Sequence, residues 1–480
     1  MTRVLVAAVA LAAFPLLSHA EEKAVHFTVR PMAAPIPALK YQLLPELHEL
    51  NAGNAAHNYL KCFMEQRKFF FGQEAVSDRA RYQTMPLAEL PLDKLRDYGR
   101  NALRQADWAA RLDTIDWQDL QHVQDGGLEE VPPAIAPLQV LAAALQVRFR
   151  AEVAGRRFDD AIRTAKTMFA LARHLGEHPS EVANLVGLWT AHLGFNTLSE
   201  MVQQRDCPNL YWALTDLPCP LVDLRKGVHG QRTLLAAELR AIRGDAPMTE
   251  VEIDKFIDHY CGTRSFAREQ AGDPPKNQRA VLRERLNETE RVSAARRRLV
   301  EAGRAEALVN RFPPLQAILL DDKRVFEIQR DERMKLLALP LWQIDSLAGA
   351  PSPPTLLPRS GGEERSSSHA HASGELGKGD GLFADQLPDI IKLRRTQGQL
   401  EQQIALLRHV EALRIYSAEH DGKLPAQLAD TTVPLPSDPV TGKPFTYTME
   451  GTTAHVCGAP LSSNGSRTEN KVRYSVTVQK

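Results

Sequence analysis

"LQVLAAALQVRFRAEVAGRRFDDAIRTAKTMFALA", residues 138–172, sets the architecture expected of this chain. Leu138, Leu141, Leu145 and Phe149 recur at steps of three and four, the spacing that places side chains on one face of a helix. Gly155 and two arginines, Arg156 and Arg157, interrupt the run, after which Phe158, Ile162, Ala165, Phe169 and Ala172 resume the period. The pattern predicts a helical hairpin with its apolar stripes facing each other. Ser180 is placed to cap a third helix reaching Gln204, and the prolines of "RDCPNLYWALTDLPCP", 205–220, end it.

The expected fold class is mainly α: a multi-helix, hairpin-built body with a small C-terminal α+β module. A Pro-rich arm occupies 21–40 and a helical domain 41–345. Residues 346–386 are rich in Pro, Ser and Gly, hold almost no large apolar residue, and read as a flexible linker or long surface loop. In 387–480 a long amphipathic helix carries Leu400, Ile404, Leu407, Val410 and Leu413 and ends at Gly422 and Pro425. Alternation at Phe445 and Tyr447, a turn at Glu450 and Gly451, and Val472, Tyr474, Val476 and Val478 then predict a short antiparallel sheet.

Arg3, the apolar run Val4–Leu17 and the small residues Ser18 and Ala20 form a signal-peptide pattern over 1–20, which predicts a periplasmic or secreted protein. The run is shorter than the roughly 20 residues a membrane span needs, and no Cys follows Ala20 to take a lipid. Lysine plus arginine equals aspartate plus glutamate, 59 against 59, which argues against nucleic acid and anionic membranes as main partners. The arginine-rich run 291–312 accordingly reads as a solvated helix face. Five cysteines lack any C-x-x-C spacing; Cys207 with Cys219 is one conceivable pair.

The stretch closest to a catalytic motif is "HLGEH", His174–His178. On a continuous helix, His174 and His178 would share a zinc ion and Glu177 would activate the bound water, as in an H-x-x-E-H peptidase. Gly176 inside the motif and Pro179 after it argue that the helix ends there, leaving the histidines to stabilise a helix C-terminus as imidazolium. Glu200, Glu238, Glu250 and Glu252 are interchangeable as a third ligand, and His369 with His371 falls in the linker without carboxylate neighbours. Asp159 with Asp160, Asp321 with Asp322, and Glu129 with Glu130 read as solvated helix surface. Tyr211 and Trp212 are candidates for an exposed aromatic patch, with core anchors as the favoured reading.

"AGRRFDDAI", 154–162, resembles the turn of a tetratricopeptide-type unit, without a second copy at the 34-residue period. "ALRIYSAEHDGKLPAQLADTTVPLPSDPVTGKPFTYT", 412–448, resembles the soluble C-terminal part of type II secretion major pseudopilins through Gly422, Leu424, Pro425, Asp438, Pro439, Gly442, Pro444 and Tyr447. That likeness implies a similar shape; the segment matching the family's calcium loop, 459–471, offers only Glu469 as a carboxylate. Finally, 38–59, 207–227 and 330–343 resemble recurring phrases of large secreted bacterial proteins of unassigned function. The preferred expectation is a non-catalytic extracytoplasmic interaction or scaffold protein, needing no cofactor, that docks on another envelope or secreted protein. The alternatives are a zinc hydrolase using "HLGEH" and a component associated with a secretion or pilus-like assembly.

Overall fold

The computed structural model describes residues 24–64, 66–118, 135–270, 289–348, 382–383, 386–387, 389–461 and 472–479, with the side chains of 261–270 and 345–348 excepted. The signal-peptide pattern, Glu129 and Glu130, His369 and His371, Glu469 and nearly all of the expected linker lie outside the described residues.

The described chain is mainly helical, with a small sheet of four strands and a separate pair of strands. At its centre α6 (Ile135–Ala154), α7 (Phe158–Gly176) and α8 (Glu181–Met201) pack together. The helices α1–α5 precede them at Ala55–Lys61, Arg67–Phe71, Gln73–Thr84, Leu92–Leu95 and Arg100–Ala109, and cover the outer side of α6. This is why α6 buries more than one stripe: Ala144, Val147 and Ala151 are as inaccessible as Leu138, Leu141, Leu145 and Phe149. The strands β2 (Asn51–Asn54) and β3 (Leu112–Thr114) pair in parallel beside these helices. Gly187 permits the close approach of α8 to α7, because a Cβ there would lie 2.8 Å from the Ala172 carbonyl oxygen.

Beyond the short α9 (Tyr211–Thr215), the helix α10 (Arg225–Leu239) leaves the central core and enters a second one. Leu235 and Leu239 pack there with Ile253, Phe256 and Tyr260 of α11 (Glu250–Gln270) and Leu299 of α12 (Thr289–Glu301). Val309 of α13 (Glu306–Val309), Phe326 of α14 (Pro314–Met334) and Phe383 complete this cluster. Within the expected helical domain 41–345 the described residues therefore form two large buried clusters, with smaller ones beside them. The arginines of 291–312 are not all a solvated face either, since Arg298 pairs with Asp321 at 2.6 Å. Asp321 and Asp322 are themselves buried, one held by Arg298 and Arg324, the other accepting from the Leu382 amide.

After α15 (Leu341–Ala348), the long α16 (Ile390–Glu419) leads to β4 (Thr446–Glu450), β5 (Thr453–Cys457) and β6 (Arg473–Val478). These three strands are antiparallel neighbours, and the turn between β4 and β5 has Gly451 at φ +60°. The fourth strand is β1, Ala24–Val29, which pairs in parallel with β6 and gives the order β1-β6-β5-β4. The arm 21–40 thus supplies part of the C-terminal sheet, with Phe27 and Val29 buried in the main core. The C-terminal segment is also no separately tethered body, because α16 contacts α8, α9 and β6 and buries Leu406, Ala412 and Ile415 besides its expected stripe. The same hydrophobic cluster runs from Leu138 and Phe169 through Leu407 and Val410 to Val456 and Val476.

An internal ion pair fastens this junction. Glu411 and Arg414 are both fully buried, with Nη1 of Arg414 2.8 Å and 3.0 Å from the carboxylate oxygens. Arg414 also donates to the carbonyls of Arg30 at 3.1 Å and Cys207 at 2.7 Å, while Glu411 accepts from the Leu210 amide. The arm, the loop after α8 and the long helix therefore meet on one charged pair.

Candidate functional site

The helix α7 ends inside "HLGEH", at Gly176, and the three candidate side chains diverge. The His174 ring meets the Tyr59 hydroxyl at 3.0 Å, and its backbone carbonyl accepts from the Trp117 indole at 2.9 Å. Burial, then Arg173, lowers its pKa to about 4, so it is a neutral imidazole rather than the imidazolium expected of a helix cap. His178 is buried against Trp117, with ring centroids 5.3 Å apart, and Glu177 points outward to Lys226 at 3.4 Å. The helix end is capped from elsewhere. The Asn184 side chain donates to the carbonyls of Leu175, Gly176 and His178 and accepts from the Gly227 amide. Ser180 occupies the N-cap position of α8, but its hydroxyl makes no capping bond. Among the described residues no group of three His, Cys, Asp or Glu side chains is arranged to hold a metal ion.

Tyr211 is fully buried, not part of a surface patch. Its hydroxyl donates to the Pro434 carbonyl, its ring lies under the Arg408 guanidinium, and Trp212 packs edge-on against it at 5.1 Å. Both aromatics serve to seat α9 on α16 and on the segment after it. Cys207 and Cys219 are free thiols, the first buried and the second exposed, so the conceivable disulfide is not formed.

A concavity lined by both polar and apolar side chains lies elsewhere, along one face of α16. A cavity of 560 Å³ is bounded by Pro220 and Asp223 after α9, by Leu339–Trp342 at the start of α15, and by the turn Ser437–Gly442. A second cavity of 130 Å³ adjoins it and shares Cys219, Gln397, Glu401, Ser437 and Pro439. Together they form a trough whose floor runs from Arg394 through Gln397, Glu401 and Ile404 to Arg408. At 1.5 Å per residue that floor is about 21 Å long.

Each wall is held in place locally. Asp438 is buried and accepts from Gln402 at 3.0 Å, the Val440 amide at 3.0 Å and the Ala459 amide at 2.7 Å, which fixes the far turn. Gly442, at φ +67°, lets the Trp342 ring lie against that turn, because a Cβ there would come within 3.3 Å of the indole. Trp342 nevertheless stays 45% exposed at the trough's edge. On the near wall Asp223 and Arg225 close on each other through three side-chain hydrogen bonds.

The floor charges are less completely used. Glu401 is 11% exposed and sits 3.7 Å from Arg394, beyond hydrogen-bond range. Burial raises its pKa, with Arg394 opposing the shift. Arg394 donates to the Leu339 carbonyl at 3.3 Å, whereas Arg408 engages only the Tyr211 ring face, among the described residues.

No family model, no curated protein and no solved structure matches this chain. The site therefore has to be read from its own geometry. Sequence reasoning missed it because its three rims come from 218–225, 337–342 and 436–442. The available signal was the heptad spacing of Arg394, Glu401 and Arg408 along one face of the helix. No described helix is long and apolar enough to cross a membrane.

Proposed function

We propose that the protein is a non-catalytic, extracytoplasmic interaction protein that holds an extended segment of another envelope or secreted protein in the trough along α16. The observation that carries this reading is the shape of the concavity: two adjoining cavities on one helix face, about 21 Å long, matching six or seven residues of extended chain at about 3.3 Å each. Its mixture of an exposed indole, proline rims and a few charges is what a site needs to grip apolar side chains while fixing their register. The signal-peptide pattern of 1–20 supports the extracytoplasmic address. The packing of α16 on β6 supports the pseudopilin-like shape of the C-terminal segment, and the α6–α7 hairpin the tetratricopeptide-like turn. The divergence of His174, Glu177 and His178 gives the zinc-hydrolase alternative no comparable support.

The test is photocrosslinking in intact cells with benzoylphenylalanine in place of Trp342, and in place of Val251 on the second core's surface as control. The reading expects one adduct specific to position 342, mapping to a contiguous segment of an envelope or secreted protein. Equal labelling from both positions, or none from 342, overturns it. A partner belonging to a secretion or pilus-like assembly would narrow the reading to that alternative.

A further inference from the structure

Arg394 and Glu401 answer each other on the floor of the trough, but Arg408 has no counter-charge. Its Nε is sealed from solvent without a hydrogen-bond partner, no carboxylate among the described residues lies in ion-pair range, and its one contact is the Tyr211 ring face at 5.6 Å. The ring steadies this half-buried guanidinium and leaves its hydrogen-bonding edge unused. Arg408 lines the smaller cavity and not the larger, so it stands at the end of the trough away from Trp342. One and two turns further along the same helix face, Ala412 and Ile415 are buried with Tyr211 and packed by Trp212, Val433 and Leu435. The trough therefore ends at Arg408.

A chain lying along the floor can enter from the larger cavity but cannot run past this point. What meets the guanidinium is a chain end, and of the two ends of a peptide a cation pairs only with the carboxylate. Beside it the smaller cavity is walled by Leu214, Leu217, Leu221, Leu400 and Ile404. Its 130 Å³ is close to the roughly 150 Å³ of a dry cavity that admits benzene, which is room for one side chain of leucine or phenylalanine size. Resting on the reading of the trough as a peptide site, we infer that the segment it holds is the free C-terminus of a protein ending in an apolar residue. The terminal carboxylate accepts from Arg408, the last side chain fills the smaller cavity, and the preceding residues run along the floor toward Trp342. The larger cavity is edged by Gln397, Ser437 and the Asp223–Arg225 pair, polar groups that suit main-chain amides better than the alkyl tail of a free fatty acid. A terminal lysine or arginine brings like charge and a polar head into the apolar cavity and is rejected.

The immobilised full chain is offered three equimolar pools of random pentapeptides, and the retained peptides are counted by mass spectrometry. One pool ends in leucine with a free carboxylate, one in leucine amide, and one in lysine with a free carboxylate. The free leucine pool should be retained at least tenfold over each of the others, with the advantage narrowing as salt rises. Arg408→Gln should abolish the preference for acid over amide, and Arg408→Lys should keep part of it, since the charge remains without the planar fork; melting curves confirm that each variant is folded. The comparison of acid with amide is made on the unaltered protein and decides the matter even where a variant does not fold. Equal retention of acid and amide, lost in Trp342→Ala, would overturn the chain terminus while leaving the trough a peptide site, whereas retention of no pool would overturn both readings. A preference that survives Arg408→Gln would overturn the role of Arg408, and displacement of the free leucine pool by an equal concentration of decanoate would overturn the peptide in favour of a free apolar carboxylate.

Discussion

Replacing Arg414 with Met would remove the cation on which the arm, the loop after α8 and the long helix converge. The side chain is fully buried, so no water can take over its bonds to Glu411, Arg30 and Cys207. Breaking a buried pair by deleting one partner costs about 3–5 kcal/mol. The upper part of that range applies here, because two main-chain carbonyls lose their donor together with the carboxylate. The loss should be felt first in β1, since Arg414 holds the Arg30 carbonyl and its own carbonyl accepts from the Met32 amide. Hydrogen exchange of the amides of Phe27, Thr28 and Val29 reads it locally, and 3–5 kcal/mol corresponds to about two to three and a half orders of magnitude in protection. The double variant Glu411→Leu, Arg414→Met removes both charges and should lose less than Arg414→Met alone. Exchange in Arg414→Met within tenfold of the parent, or a double variant worse than the single, would refute the reasoning.

Asn184→Ala should cost about 2–4 kcal/mol in a urea melt, because it strands the Gly176 and His178 carbonyls and the Gly227 amide; a loss under about 1 kcal/mol would show that the turn does not depend on it. Burial, opposed by the Ala405 carbonyl and aided by Arg408, lowers the His409 pKa from 6.5 to about 4. The unfolded chain therefore takes up this proton first as the pH falls: the contribution is complete above about pH 6.5 and declines down to about 4, by at most about 3 kcal/mol. His409→Gln should flatten the stability-versus-pH curve in that window, and an unchanged slope would contradict the assignment. Mass spectrometry of the purified chain should find equally low zinc in the parent and in His174→Ala, His178→Ala; near-stoichiometric zinc lost in the double variant would reinstate the metal reading.

The parts of the fold legible in the sequence are those whose signal is local. The period of three and four at 138–172 marks α6 and α7, and the Gly and Pro punctuation at 422–425 marks the end of α16. Gly176 and Pro179 correctly argued against a continuous helix through "HLGEH", while the capping by Asn184 depends on a neighbouring helix. The alternation of Val25, Phe27 and Val29 was available as a strand signal, but its partner lies at the other end of the sequence. The charge of Asp321 and Asp322 suggested solvent, and only the packing of α12 on α14 reveals that arginines take them inside. The trough depends on three rims brought together by tertiary packing, so no window of sequence contains it.

The parallel pairing of β1 with β6 has a kinetic consequence. A strand made early waits unpaired while hundreds of residues follow it, and the bond from Arg414 to the Arg30 carbonyl alone spans 384 positions. Contacts of such sequence separation form late, because the entropy of closing the loop is lost before the contact repays it. The α6–α8 bundle can assemble from neighbours as it emerges, whereas the sheet can close only after Val478 has been synthesised. Until then Phe27 and Val29 are apolar strand residues without their partner, open to pairing with another chain.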